Sequence, residues 1–124
     1  MKKRILTGTT VTDTGAFTVN DTQSILGKLC AILYKPGTLD TGATITITSQ
    51  GVFAKPLLTK ASAGTADTLY YPRDIVHAVT NGAVLTGSAG GDCDLPLING
   101  TLRFVVSSGG ATPLTGSVVV YYED

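Results

Sequence analysis

Between Thr44 and Thr48 the chain alternates Thr-Ile-Thr-Ile-Thr, and the same two-residue spacing returns at Leu102, Phe104, Val106 and at Val118, Val120, Tyr122. A period of two sends successive side chains to opposite faces of an extended strand, so each run specifies a sheet with one dry and one wet face. Twenty threonines and 15 glycines strengthen the case, because β-branched residues fill pleated surfaces and glycines serve the reversals between them.

The alternation and the turn signals together predict strands at residues 3–11, 15–20, 25–35, 43–49, 52–60, 67–72, 83–88, 101–107 and 116–123. Reversals are expected at Asp13-Thr14-Gly15, Pro36-Gly37, Asp40-Thr41-Gly42, Ala63-Gly64, Asn81-Gly82, Asn99-Gly100 and Gly109-Gly110. The Asn-Gly pairs are the firmest hairpin signals among them. One stretch breaks the rhythm. Ile75, Val76 and Val79 after Pro72 fit one face of a short helix or 3₁₀ turn stopped at Asn81-Gly82, with a strand as the alternative. The two C-terminal runs are expected to be central and buried. If Val119 and Tyr121 also prove buried, something covers the second face.

The expected fold is therefore all-β: an antiparallel β-sandwich, jelly-roll-like, with eight or nine short strands and at most one short helix. At 124 residues the chain suits one domain. Residues 1–24 are expected as an N-terminal arm or first strands, and residues 25–124 as the sandwich.

Charge and apolar run lengths remove several function classes. Nine basic residues balance nine acidic ones, so no general field gathers nucleic acid or an anionic membrane surface. Lys2-Lys3-Arg4 resembles the start of an export signal, yet Ile5-Leu6 gives way at once to Thr7-Gly8-Thr9-Thr10 where an apolar stretch of roughly 7–15 residues is required. The apolar runs around Leu29–Tyr34 and Val118–Tyr122 are far shorter than the roughly 20 residues of a membrane-crossing helix. Synthesis in a cytosol is expected, and there Cys30 and Cys93 read as two free thiols, with a disulfide between them as the alternative.

Candidate chemistry is thin. Leu39-Asp40-Thr41-Gly42-Ala43, with a second Asp-Thr-Gly at residues 13–15, matches the active-site turn of retroviral-type aspartic proteases, in which two carboxylates share a proton. Asp40, however, follows the turn Pro36-Gly37-Thr38 instead of a supporting strand, and Asp-Thr-Gly equally suits a hairpin. Gly87–Asp92 lacks the lysine and following Ser/Thr of a phosphate-binding loop. Asp92 and Asp94 lack the remaining ligands of a calcium loop. His77 is the sole histidine, so a zinc site is short of ligands and a Ser/His/Asp triad has no Gly-x-Ser-x-Gly turn to support it. No catalytic residue, cofactor or metal is expected. Tyr70, Tyr71 and Arg73 combine residue types enriched at protein interfaces, and with Lys2, Lys3 and Arg4 they form the expected partner-binding set.

The segments Ile32–Thr44, Leu58–Thr65 through Tyr71-Pro72-Arg73, and Gly100–Val106 resemble, in style and order of elements, small Thr/Gly-rich virion proteins of tailed bacteriophages. The resemblance covers roughly residues 25–124. It implies a structural protein of the outer capsid surface, a decoration or cement protein that binds across the joints between capsomers of the major capsid protein. It further implies a symmetric homo-oligomer such as a trimer, and an N-terminal arm. A tail or neck component is the nearest alternative. A carbohydrate-binding sandwich is a third, for which the chain offers no tryptophan.

Overall fold

The computed structural model describes residues 1–11, 14–51, 54–75, 93–111 and 113–124. These residues form β1 (Lys2–Thr9), β2 (Phe17–Asn20), β3 (Ile25–Lys35), β4 (Thr44–Gln50), β5 (Lys55–Lys60), β6 (Thr68–Tyr70), β7 (Asp74–Ile75), β8 (Cys93–Asp94), β9 (Leu97–Ser107) and β10 (Thr115–Glu123). The fold is all-β and every pairing is antiparallel. No helix occurs among the described residues. The expected helix or strand after Pro72 opens as the short strand β7, and its remainder, with the strand expected at residues 83–88, lies outside the described residues.

Eight strands make one sheet in the order β1-β10-β3-β9-β4-β5, with β2 added to β9 and β6 added to β3, while β7 and β8 pair separately. Where two separate layers are expected, hydrogen bonding runs unbroken through β3 and β9. Residues 25–28 of β3 pair with 97–100 of β9, and residues 28–35 pair with β10. Beyond residue 100, β9 pairs with β4 along residues 101–107 and with β2 along residues 103–106. Of the arm or first strands expected at residues 1–24, the structure has two strands of the common sheet, β1 being paired with β10 along its whole length and β2 with β9.

Asn99-Gly100, expected to be a hairpin, sits inside β9. Gly100 has φ +148°, and a Cβ there would lie 1.6 Å from the Gln50 carbonyl oxygen, so only glycine fits where β9 passes from β4 to β3. The same residue type that signals a turn here permits close contact between strands.

One apolar cluster draws on both halves of the sheet: Leu6, Phe17, Leu29, Ile32, Tyr34, Ile45, Ile47, Leu102, Phe104, Val106, Val118 and Val120 all belong to it. The sheet therefore curls over its own core. At Gly8 a Cβ would meet the Phe17 ring at 2.3 Å, so a missing side chain on β1 makes room for a ring from β2. Phe17 in turn meets Phe104 edge-to-face, with ring centroids 5.4 Å apart at 82°; such a pair adds about 0.5–1.5 kcal/mol beyond simple burial. The C-terminal strands are central and buried as their spacing predicts.

Threonine also closes loops. The buried Thr10 hydroxyl accepts from Leu114 N–H at 2.9 Å, and that of Thr38 accepts from Thr115 N–H at 2.8 Å. The two ends of the sheet path carry their own protection against strand-to-strand aggregation. β5 holds Lys55, Pro56, Lys60 and a bulge at Leu57, and β1 holds Lys2, Lys3 and Arg4.

Candidate partner-binding face

The site begins with one extra residue. Tyr121 pairs with Ala31 and Tyr122 with Leu29, so Cys30 is a β-bulge in β3. Before it, Ile25 and Leu29 face the core; after it, Ile32 and Tyr34 do. The bulge turns Ala31 and Leu33 to the outside of the sheet, on the face opposite the core.

Four strands then align apolar side chains across that outer face. Ile5 pairs with Val119, Val119 with Leu33, and Leu33 with Leu69, giving one row across β1, β10, β3 and β6. The next row runs Lys3, Tyr121, Ala31, and the chain just past β6 brings Tyr71 beside it. Val119 is 6% exposed and Tyr121 half-buried, while Ile5 is 55% exposed, Leu69 44% and Tyr71 61%. Neighbouring side chains on the same face account for the burial of Val119; the row as a whole stays open to solvent.

A groove of about 480 Å³ runs along this face, walled by Met1, Ala31, Leu33, Leu69, Tyr71 and Tyr121, with Arg73 and Cys30 at one end. Arg73 is held there. Its Nη1 donates to the carbonyl of Cys30 at 3.1 Å and of Pro72 at 2.7 Å, and its guanidinium carbon lies 5.8 Å from the centre of the Tyr71 ring. A cation over the aromatic face keeps both groups poised at the groove mouth. Cys30 itself is a free thiol; the side chain of Cys93 lies outside the described residues.

Of the six residues expected to bind a partner, the structure gathers Lys3, Tyr71 and Arg73 on this face. Alternation along β1 sends Lys2 and Arg4 to the other face, where Lys2 pairs with Asp124 and Arg4 with Asp21. Tyr70 is half-buried and packs against the core. Ile5, Leu33 and Leu69 escaped the sequence reading as partner-binding residues. For Leu33 the signal was the uninterrupted apolar run Leu29–Tyr34, which lacks the polar alternates of a strand with a wet face; Ile5 and Leu69 carry no such signal.

The motif with the strongest chemical associations, Asp40-Thr41-Gly42, forms a turn held by backbone bonds. Ala43 N–H donates to the Asp40 carbonyl at 3.2 Å, closing the Asp40–Ala43 turn, and Asp40 N–H donates to the Gly109 carbonyl at 2.9 Å. Gly109 N–H donates in turn to the Gly15 carbonyl at 2.8 Å, so Asp40 and Gly15 are both fastened to Gly109 by backbone bonds. Asp13, His77, Asp92 and the Gly87–Asp92 loop lie outside the described residues. Comparison of the chain with protein-family models, with curated proteins and with solved structures returns no match.

Proposed function

We propose that this chain is a non-enzymatic structural protein of a tailed-bacteriophage virion, and specifically a capsid decoration protein that binds across joints between major-capsid-protein capsomers on the outer shell. The observation that carries the reading is the apolar row Ile5, Val119, Leu33 and Leu69 on the outer face of a sheet whose core is already filled from its other side. An open apolar row flanked by aromatic and guanidinium groups is the composition of a protein-binding surface. A zero formal net charge and a single antiparallel sheet curled over its own core suit a protein repeated many times over a shell. Assembly as a symmetric oligomer, such as a trimer, would multiply a modest contact through avidity.

The test is mass spectrometry of virions purified from the phage that encodes the chain. Stoichiometry comparable to the major capsid protein supports decoration, a small fixed copy number moves the protein to the tail or neck, and absence from intact particles overturns the proposal.

A further inference from the structure

The groove also specifies the chemistry of what lies in it. Its floor is apolar, and two cations stand on the same face, Lys3 on β1 and Arg73 beyond β6. Neither forms an ion pair among the described residues, and no described residue lining the groove is acidic. Glu123, two residues beyond Tyr121 on β10, is paired in register with Lys28 of β3 and does not line the groove.

Two considerations separate a second copy of this chain from a segment of another protein. The exposed parts of Met1, Ile5, Leu69 and Tyr71 amount to on the order of 400–500 Å², against the ~800 Å² per partner of a stable protein–protein interface. A face-to-face pair of copies would moreover bring Lys3 and Arg73 toward a groove without carboxylates. Both points favour a short segment.

We infer that the groove formed by Leu33, Leu69, Tyr71 and Tyr121 binds a single linear segment of a partner protein whose apolar side chains are flanked by aspartate or glutamate, with Lys3 and Arg73 receiving the acids. The apolar side chains fill the groove and the flanking carboxylates set orientation, Arg73 being already held in position by its bonds to the Cys30 and Pro72 carbonyls. The inference deepens the virion proposal by stating what the docked part of the partner must look like, and it rests on that proposal only for the identity of the protein carrying the segment.

The experiment is selection of a displayed library of random linear peptides on the immobilised full chain, followed by fluorescence anisotropy with the enriched peptides. Enrichment of apolar peptides flanked by Asp or Glu is expected. Lys3→Glu with Arg73→Glu should weaken them roughly tenfold, two exposed ion pairs being lost, and Leu69→Ser should weaken them while leaving the thermal unfolding profile in place. Lys3→Glu alone provides the charge test if the double variant fails to fold. Failure to enrich any peptide, enrichment of basic or uncharged peptides, or binding indifferent to these variants would overturn the inference. So would a concentration-dependent dimer in sedimentation that Leu69→Ser abolishes. A chain that selects acidic apolar peptides but is absent from virions keeps this inference and loses the virion role; a stoichiometric virion protein that selects none does the reverse.

Discussion

Replacing Tyr34 by phenylalanine should stabilise the protein. The Tyr34 ring is fully buried in the core, and its hydroxyl has no hydrogen-bond partner among the described residues. Taking a hydroxyl out of water without a new partner costs about 1–3 kcal/mol by the measure of protein mutations. Phenylalanine keeps the ring and gives back only the few contacts of one oxygen atom, so a net gain of about 1 kcal/mol is expected, or a rise of about 3–5 °C in Tm for a chain of this size. Urea unfolding of both proteins at pH 7 measures it, with an unchanged slope showing that the unfolded state is not altered. The alkaline limb gives a second readout. Burial, and secondarily the neighbouring Tyr70, push the Tyr34 phenol above its ordinary value of 10.0. In the unfolded chain the phenol ionises from about pH 10, whereas in the fold it holds its proton to higher pH. Its contribution is therefore intact below pH 10 and is lost as pH rises beyond it, by up to about 1.4 kcal/mol per pH unit. The advantage of Tyr34→Phe must widen above pH 10. A variant less stable than the parent at pH 7, or a gap that narrows with alkali, would refute the reasoning, because the hydroxyl would then be satisfied by a buried water.

Gly100→Ala should disrupt the passage of β9 between β4 and β3, since its Cβ would collide with the Gln50 carbonyl at 1.6 Å; a loss of at least 3 kcal/mol in urea unfolding is expected, beyond ordinary backbone propensity. Asp21→Ala removes the partner of the largely buried Arg4 guanidinium together with the acceptor for Gln23 N–H, and should cost about 1–2 kcal/mol by the same assay, whereas Arg4→Met, which removes the charge and keeps the stem, should cost less. The exposed Lys2–Asp124 pair behaves differently: its hydrogen bond holds the Asp124 carboxyl below 3.8 and the Lys2 amine above 10.5. Its small contribution is present between those values, fades as pH falls below the carboxylate range or rises past the lysine range, and should vanish for Lys2→Ala against the parent in 1 M salt, as followed by urea midpoints. Deleting Cys30 should abolish cooperative unfolding, while Cys30→Ala, which keeps the bulge, should leave it intact; near-ultraviolet circular dichroism during thermal melts distinguishes the two.

The strands legible in the sequence were those whose alternation alone decides the matter. Thr44–Thr48 and Leu102–Val106 sit within a residue or two of their expected places because period two and a single buried face leave no other register, and Val118–Tyr122 does so as a short uninterrupted apolar run. Leu97–Gly100 was lost to a local signal: Asn-Gly reads as a reversal, and the steric demand of the Gln50 carbonyl, a contact between residues distant in sequence, overrides it. The pairs β7 and β8 are two residues each, too short for any periodicity to register. Of the partner-binding set, Tyr71 and Arg73 were visible from residue type. The strand expected from residue 3 already divides Lys3 from Arg4, but which of the two shares a face with Tyr71 and Arg73 depends on the pairing of β1 with β10, which the sequence does not show.

The two halves of the sheet differ in what they turn away from the core. On β4 the positions pointing away from the core are Thr44, Thr46 and Thr48, which tolerate water and still favour the strand. On β1, β10, β3 and β6 the corresponding outward positions are Ile5, Val119, Leu33 and Leu69. The outward place of Leu33 depends on the Cys30 bulge: with an unbroken period of two from Ile25 to Lys35, Leu33 and Lys35 would turn inward and Tyr34 outward. The bulge keeps the lysine out of the core and, in the same step, lays Leu33 between Val119 and Leu69 to complete the row. Threonine at the two exposed positions, Ile5 and Leu69, would hold the strands equally well and shrink the exposed apolar patch. Apolar side chains at those two positions gain little in the isolated chain that threonine would not supply, which is what the proposed partner surface accounts for.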